Sequence, residues 1–131
     1  MTRLTIRIDF GNGTALGPGK VRLLELIAQT GSIRRAAAGM KMSYRQAWLL
    51  LKALGETFGE ALVTTTTGGK QGGGARLTAL GTDVVRYYRA LERKAAKAAA
   101  GDVGALERVL AVKPETSQKR PRVPRRRPTR P

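Results

Sequence analysis

At 131 residues the chain has room for one compact domain with ordinary flanks, and no stretch approaches the roughly 20 apolar residues of a membrane span. Its 25 basic and 9 acidic side chains leave a formal charge of +16, which directs attention to a polyanionic partner. Cys and His are both absent, excluding thiolate nucleophiles, disulfides and the common zinc ligands.

The basic charge is not confined to one end. Lys113–Pro131 holds 8 basic and 1 acidic residue, while residues 1–112 still carry 17 against 8. Met1–Phe10 alternates charged and apolar residues without the apolar run of a signal peptide, so the expected location is the cytoplasm. In that stretch Leu4, Ile6 and Ile8 repeat with the period of a half-buried strand, predicted over 4–10 and ended by Gly11-Asn12-Gly13. Gly17-Pro18 opens a helix over 18–30, where a first-turn proline sacrifices no hydrogen bond; Val21, Leu24, Ile27 and Ala28 mark one apolar face, and Gly31 stops it.

Ser32 caps a short helix over 32–39, and Ser43 caps a third over 43–58 with Ala47, Leu51, Leu54 and Phe58 at helical spacing. Leu62–Thr67 is rich in β-branched residues, Gly68–Gly74 is dominated by glycine, and Ala75-Arg76-Leu77 is extended again. That pattern predicts a hairpin over 62–77 with a basic tip. Thr78 caps a fourth helix over 78–100 that carries Leu80, Val84, Tyr87, Tyr88 and Leu91 as an apolar stripe. Gly101 and Gly104 weaken its continuation, so 101–112 is read as a linker or short helical extension. The Pro- and Arg-rich segment 113–131 is expected to be a disordered basic tail.

The predicted fold class is mainly α with a small β hairpin: a winged helix-turn-helix with a long C-terminal helix. A helix-turn-helix places its second helix in the DNA major groove only if the first holds it at a fixed angle, which requires small residues at the crossing. Ala37 and Ala47 are placed for that role. Ser43, Tyr44, Arg45, Gln46, Leu49 and Lys52 then occupy the start and outer face of the third helix. Arg45 and Gln46 have the groups for bidentate contact with guanine and adenine edges, Leu49 suits a thymine methyl, and Ser43, Tyr44 and Lys52 suit phosphate. Arg34 and Arg35 are phosphate candidates beside the equally open reading of free surface arginines. On the hairpin, Lys70 can reach a phosphate or a minor groove, with Gln71 and Arg76 as further candidates.

Each of these has a plainer alternative, an ordinary solvated face. Trp48 has a ring that can stack on a base, but beside Ala47 and Leu51 it is expected rather to fill core, because an indole buries so much surface. Tyr87 and Tyr88 are read as core or dimer contact, and Asp83 and Glu92 as surface charges without a catalytic partner. Lys70-Gln71-Gly72 lacks the Ser or Thr and the following helix of a phosphate-binding loop, so no nucleotide, metal or other cofactor and no enzyme activity is expected.

Residues 17 to about 94 resemble the N-terminal DNA-binding domain of the ModE family of molybdate-responsive regulators, itself related to the LysR-type winged helix. Gly31-Ser32-Ile33, Ser43-Tyr44-Arg45-Gln46-Ala47-Trp48 and Thr67-Gly68-Gly69-Lys70-Gln71-Gly72-Gly73-Gly74-Ala75-Arg76-Leu77-Thr78 carry the resemblance. It implies a homodimer in which the first strand and fourth helix build the contact and two recognition helices read a palindrome on double-stranded DNA. Full regulators of the family carry C-terminal molybdate-binding modules; here the fourth helix leads into a basic tail, so direct molybdate binding is not expected. Lys41 stands in a turn where the motif often has glycine, and Gln71 replaces one wing glycine.

The expected function is therefore sequence-specific, nucleoid-associated transcription regulation in a bacterial cytoplasm. The alternatives are a sequence-tolerant architectural DNA-binding protein, for which the charge is motive enough, and a dimerising partner of another, sensor-bearing regulator. The tail is read as a non-specific DNA arm rather than a solubility extension. Its Lys119-Arg120-Pro121-Arg122 run resembles an AT-hook without the central glycine.

Overall fold

The computed structural model describes residues 2–66 and 74–112, in which a short hairpin, three helices, a second hairpin and a long fourth helix follow in order. The expected N-terminal strand is shorter than its alternation predicts. Only β1 (Ile8–Asp9) forms a ladder, pairing antiparallel with β2 (Ala15–Leu16), a strand the sequence did not announce. A strand extends only as far as a partner strand accompanies it, and β2 is two residues long before Pro18 starts a helix. Asn12 closes the intervening turn, its side-chain oxygen accepting from both the Thr14 N–H and the Thr14 hydroxyl.

Helix α1 (Pro18–Thr30) has proline in its first turn and ends at Gly31 in the left-handed region, φ 72°, whose N–H donates to the Ile27 carbonyl. Its buried residues are Val21, Leu23, Leu24 and Ile27, so three of the four residues of the expected apolar face are inward, while Ala28 is exposed and Leu23 is buried beyond that face. The reason is that α1 is the central element and is covered on two sides. Val21 and Leu24 belong to a cluster with Leu16, Leu54, Leu62, Val84 and Tyr88; Leu23 and Ile27 belong to a second, with Ile33, Ala36, Ala37, Ala47 and Ala75. Complete burial of each large side chain contributes about 1.5–3 kcal/mol, which makes α1 the frame on which the other helices are fixed.

Ser32 caps α2 (Ile33–Gly39), its hydroxyl accepting from the Arg35 N–H, and Ser43 caps α3 (Tyr44–Phe58). The turn between them passes through Lys41 at φ 56°, the one residue other than glycine with positive φ among the described residues. The second hairpin pairs β3 (Val63–Thr66) with β4 (Gly74–Leu77) in antiparallel register, Val63 opposite Leu77 and Thr66 opposite Gly74. Its base is pinned at three points. The Ala75 N–H donates to the Gly31 carbonyl at 2.9 Å, the Thr78 N–H to the Leu62 carbonyl at 2.9 Å, and the Thr78 hydroxyl to the Ala61 carbonyl at 2.9 Å.

Helix α4 runs unbroken from Ala79 to Arg108, past the expected boundary at residue 100, so residues 101–108 are a helical extension rather than a linker. Gly101 and Gly104 each cost about 1 kcal/mol relative to alanine, but five alanines between 95 and 100 favour the helix enough to carry it past them. Tyr88 is buried on the inner face of α4 and its hydroxyl donates to the Ile6 carbonyl at 2.6 Å, which fastens the N-terminal segment. Tyr87, by contrast, is 64% exposed, so the adjacent tyrosines divide between core and surface. Glu92 is not an isolated surface charge: Arg89 donates to it and, through two nitrogens at 2.8 Å, to Glu25 on α1. Residues 67–73, with Lys70 and Gln71, and the segment 113–131 lie outside the described residues.

Candidate nucleic-acid interface

Residues 32–55, the span of α2, the turn and most of α3, contain five basic and no acidic side chains. Ala36, Ala37 and Ala47 are buried where α2 meets α3, so the helices approach without a bulky side chain holding them apart. That burial fixes the rotation of α3. With Ala47 and Leu54 turned inward, Arg45 and Leu49 lie on the opposite side, on consecutive turns, and Leu49 is 51% exposed.

The start of α3 is closed by a capping box. The Ser43 hydroxyl accepts from the Gln46 N–H at 3.0 Å, and the Gln46 side-chain oxygen accepts from the Ser43 N–H at 3.1 Å. Two of the expected contact residues are thus already bonded to each other. A carbonyl oxygen has a second lone pair and the Gln46 amide nitrogen takes no part in the cap, so the side chain retains both kinds of hydrogen-bonding capacity.

On the flank of α3 the Arg34 guanidinium lies 4.5 Å from the centroid of the Tyr44 ring, and the Trp48 Nε1–H donates to the Tyr44 hydroxyl at 2.8 Å. One turn further, Lys52 pairs with Glu56 at 2.8 Å, and that carboxylate holds the ammonium above the ordinary lysine range. Arg34, Tyr44, Trp48 and Lys52 therefore form a line along one edge, with Arg45 and Leu49 beside it. Arg35 is exposed on α2, and Arg76 is exposed on β4, opposite Thr64, on a separate element from the α2–α3 group.

Trp48 is 46% exposed, which corrects its expected place in the core. The sequence held the signal. Ala47, Leu51, Leu54 and Phe58 define a narrow buried stripe, and Trp48 sits about 100° around the helix from Ala47, outside that stripe. Beside it a cleft of about 410 Å³ runs between α3 and the base of the second hairpin, lined in part by Leu51, Gly55, Leu62, Val63 and Thr65.

Residues 19–82 match the family model described as bacterial regulatory helix-turn-helix protein, lysR family. Among curated relatives, the molybdenum transport protein ModE of Azotobacter vinelandii is 45% identical over 85 residues, 65% of this chain and 32% of the relative. The DNA-binding transcriptional dual regulator ModE of Escherichia coli (strain K12) is 37% identical over 81 residues, 62% of this chain and 31% of the relative. The chain thus spans about a third of the length of the curated relatives it matches. Among solved structures, that of the CbnR DBD–DNA complex is 20% identical with a TM-score of 0.52, covering 66% of this chain and 94% of its own, a likeness of fold alone.

Proposed function

Because residues 19–82 match the lysR-family helix-turn-helix model and ModE proteins are among the relatives, we propose that this chain is a sequence-specific, double-stranded-DNA-binding transcription regulator. The observation that carries the reading is the outward presentation of Arg45 and Leu49 on a helix whose rotation is fixed by buried alanines, within a segment free of acidic side chains. A major groove about 12 Å wide admits such a helix, and its base edges are met by the residue types α3 offers there.

In this reading Arg45 takes a guanine edge, Leu49 a thymine methyl, and Gln46 an adenine edge while its oxygen also serves the cap. Ser43, Tyr44, Lys52, Arg34 and Arg35 contact phosphate around the groove, and the second hairpin brings Arg76, with Lys70 and Gln71, to the neighbouring backbone or minor groove. Residues 1–100 perform the recognition, and the basic segment 113–131 adds attraction to phosphate without regard to sequence. The site of action is the nucleoid DNA of the cytoplasm; no helix among the described residues is long and apolar enough to cross a membrane.

The chain acts as a homodimer. Tyr87 at 64%, Leu106 at 65% and Val109 at 78% exposure leave an apolar surface along α4 and its C-cap that a second copy would remove from water.

Selection of bound sequences from random DNA is the decisive experiment. The expected result is one preferred palindrome, with half-sites about one helical turn apart, bound far more tightly than its scrambled counterpart at fixed salt. Equal affinity for both would defeat the specificity claim and leave the architectural alternative.

A further inference from the structure

We propose that Trp48 is a specificity-determining residue that reads the C5-methyl group of a thymine at the edge of the site nearest the second hairpin. The inference rests on the reading of α3 as the recognition helix. Trp48 is the chain's one tryptophan, and nearly half of its surface is exposed on a helix flank otherwise occupied by charged and polar side chains. An exposed indole ordinarily offers both a donor and an apolar ring. Here the donor is spent, because Nε1–H already bonds the Tyr44 hydroxyl at 2.8 Å. What remains exposed is carbon.

The major groove presents hydrogen-bonding groups at every base pair and one apolar feature, the thymine methyl. A ring with no free donor is suited to that feature and to no other base edge. The ring is also held in place before DNA arrives. Tyr44, which fixes it, is itself stacked against the Arg34 guanidinium at 4.5 Å, and Leu51, Leu62 and Val63 line the cleft on its other side. Ordering a side chain in advance lowers the entropy lost on binding, so the contact can discriminate. Leu49 follows it on the helix with 51% exposure and points about 100° away, so the two side chains meet separate thymine methyl groups.

The competing account is that Trp48 merely covers the cleft between α3 and β3. The two differ when thymines of the selected site are replaced one at a time by deoxyuridine, which lacks only the methyl group. For the unaltered protein, two positions are expected to lose about fourfold in affinity each, the worth of one buried methyl. In Trp48→Ala one of those two losses disappears while the other, assigned to Leu49, persists. Retention of both losses in Trp48→Ala overturns the proposal.

A second measurement needs no substitution, because the chain's fluorescence at long wavelength comes from Trp48 alone. Site DNA is expected to shield it from quenching by acrylamide, and scrambled DNA at the same saturation is expected to shield it less. Equal quenching in the free and site-bound protein overturns the proposal while specific binding stands. Absence of any selected sequence refutes the regulator reading itself, and the inference falls with it.

Discussion

Replacing Gly81 by alanine sets two opposed effects against each other. Helix propensity favours alanine over glycine by up to about 1 kcal/mol, so a reading of α4 as an isolated helix predicts stabilisation. The packing predicts the reverse. A Cβ at residue 81 would stand 2.2 Å from the Leu62 carbonyl oxygen and 3.1 Å from its carbon, with Leu77 Cβ at 3.3 Å. The oxygen contact falls more than ~1 Å short of van der Waals separation, and backbone cannot rotate away as a side chain can. Overpacking of this kind costs about 1–3 kcal/mol. The same carbonyl accepts from the Thr78 N–H at 2.9 Å, so displacing it forfeits about 1 kcal/mol more. The clash and the lost bond together exceed the propensity gain, and the net destabilisation is about 2 kcal/mol, or roughly 10 °C in Tm for a domain of this size. Thermal unfolding followed by circular dichroism at fixed protein concentration measures it, with Gly101→Ala on the same helix as control. A Cβ at Gly101 meets nothing within 4 Å, so there propensity acts alone and Tm should rise. If both variants rise, the argued contact between α4 and the base of the hairpin is refuted.

Lys41→Gly should stabilise the protein by about 0.5–1 kcal/mol, since a side chain in the left-handed region costs ~1–2 kcal/mol and glycine's greater freedom when unfolded returns part of that; urea titration reads the difference. If Lys41 also meets phosphate, the same variant lowers the salt dependence of DNA binding by about one unit of slope. The Arg89 guanidinium, and beyond it Arg22, holds the Glu25 carboxyl below the usual carboxylate range against the opposing effect of its own burial. A depressed carboxyl contributes stability that is complete above its ordinary pKa, roughly 4.3, and is lost as the pH falls below that value. Unfolding free energies between pH 6 and roughly 3 should therefore fall more steeply in the unaltered protein than in Glu25→Gln. Arg45→Ala should cost about 1–3 kcal/mol in binding to the selected site and relax the preference at a single base pair, read by titration against single-position variants of that site.

What was legible in the sequence was whatever short-range chemistry decides. The caps at Ser32, Ser43 and Thr78 each bond the backbone of their own first turn, and the starts of α2, α3 and α4 follow from those residues alone. What escaped was set by partners distant in sequence. The Leu4–Phe10 alternation is real, but the length of a strand belongs to the pair, and β2 limits it. The burial of Leu23 and exposure of Ala28 were hidden because a helix covered on two sides has no single apolar face to read. At the candidate site, residue types were legible while their commitments were not. The spacings Ser43–Gln46, Lys52–Glu56 and Tyr44–Trp48 make a capping box, an ion pair and a side-chain bond possible, but they do not say which of these the folded side chains form.

Those commitments join the two candidate contact elements through one frame. Helix α1 contributes Leu23 and Ile27 to the cluster that includes Ala47 of α3, and its C-terminal Gly31 carbonyl accepts the Ala75 N–H of β4. A Cβ at Gly74 would stand 3.2 Å from that same carbonyl, so β4 lies close against the end of α1. Helix α3 and the hairpin base are thus both referred to the same helix. A change at the α1 end that left α3 in place would still move β4, and with it Arg76, relative to the edge where Arg45 and Leu49 stand. The relative placement of α3 and β4 is therefore set through α1, which presents no candidate contact residue of its own.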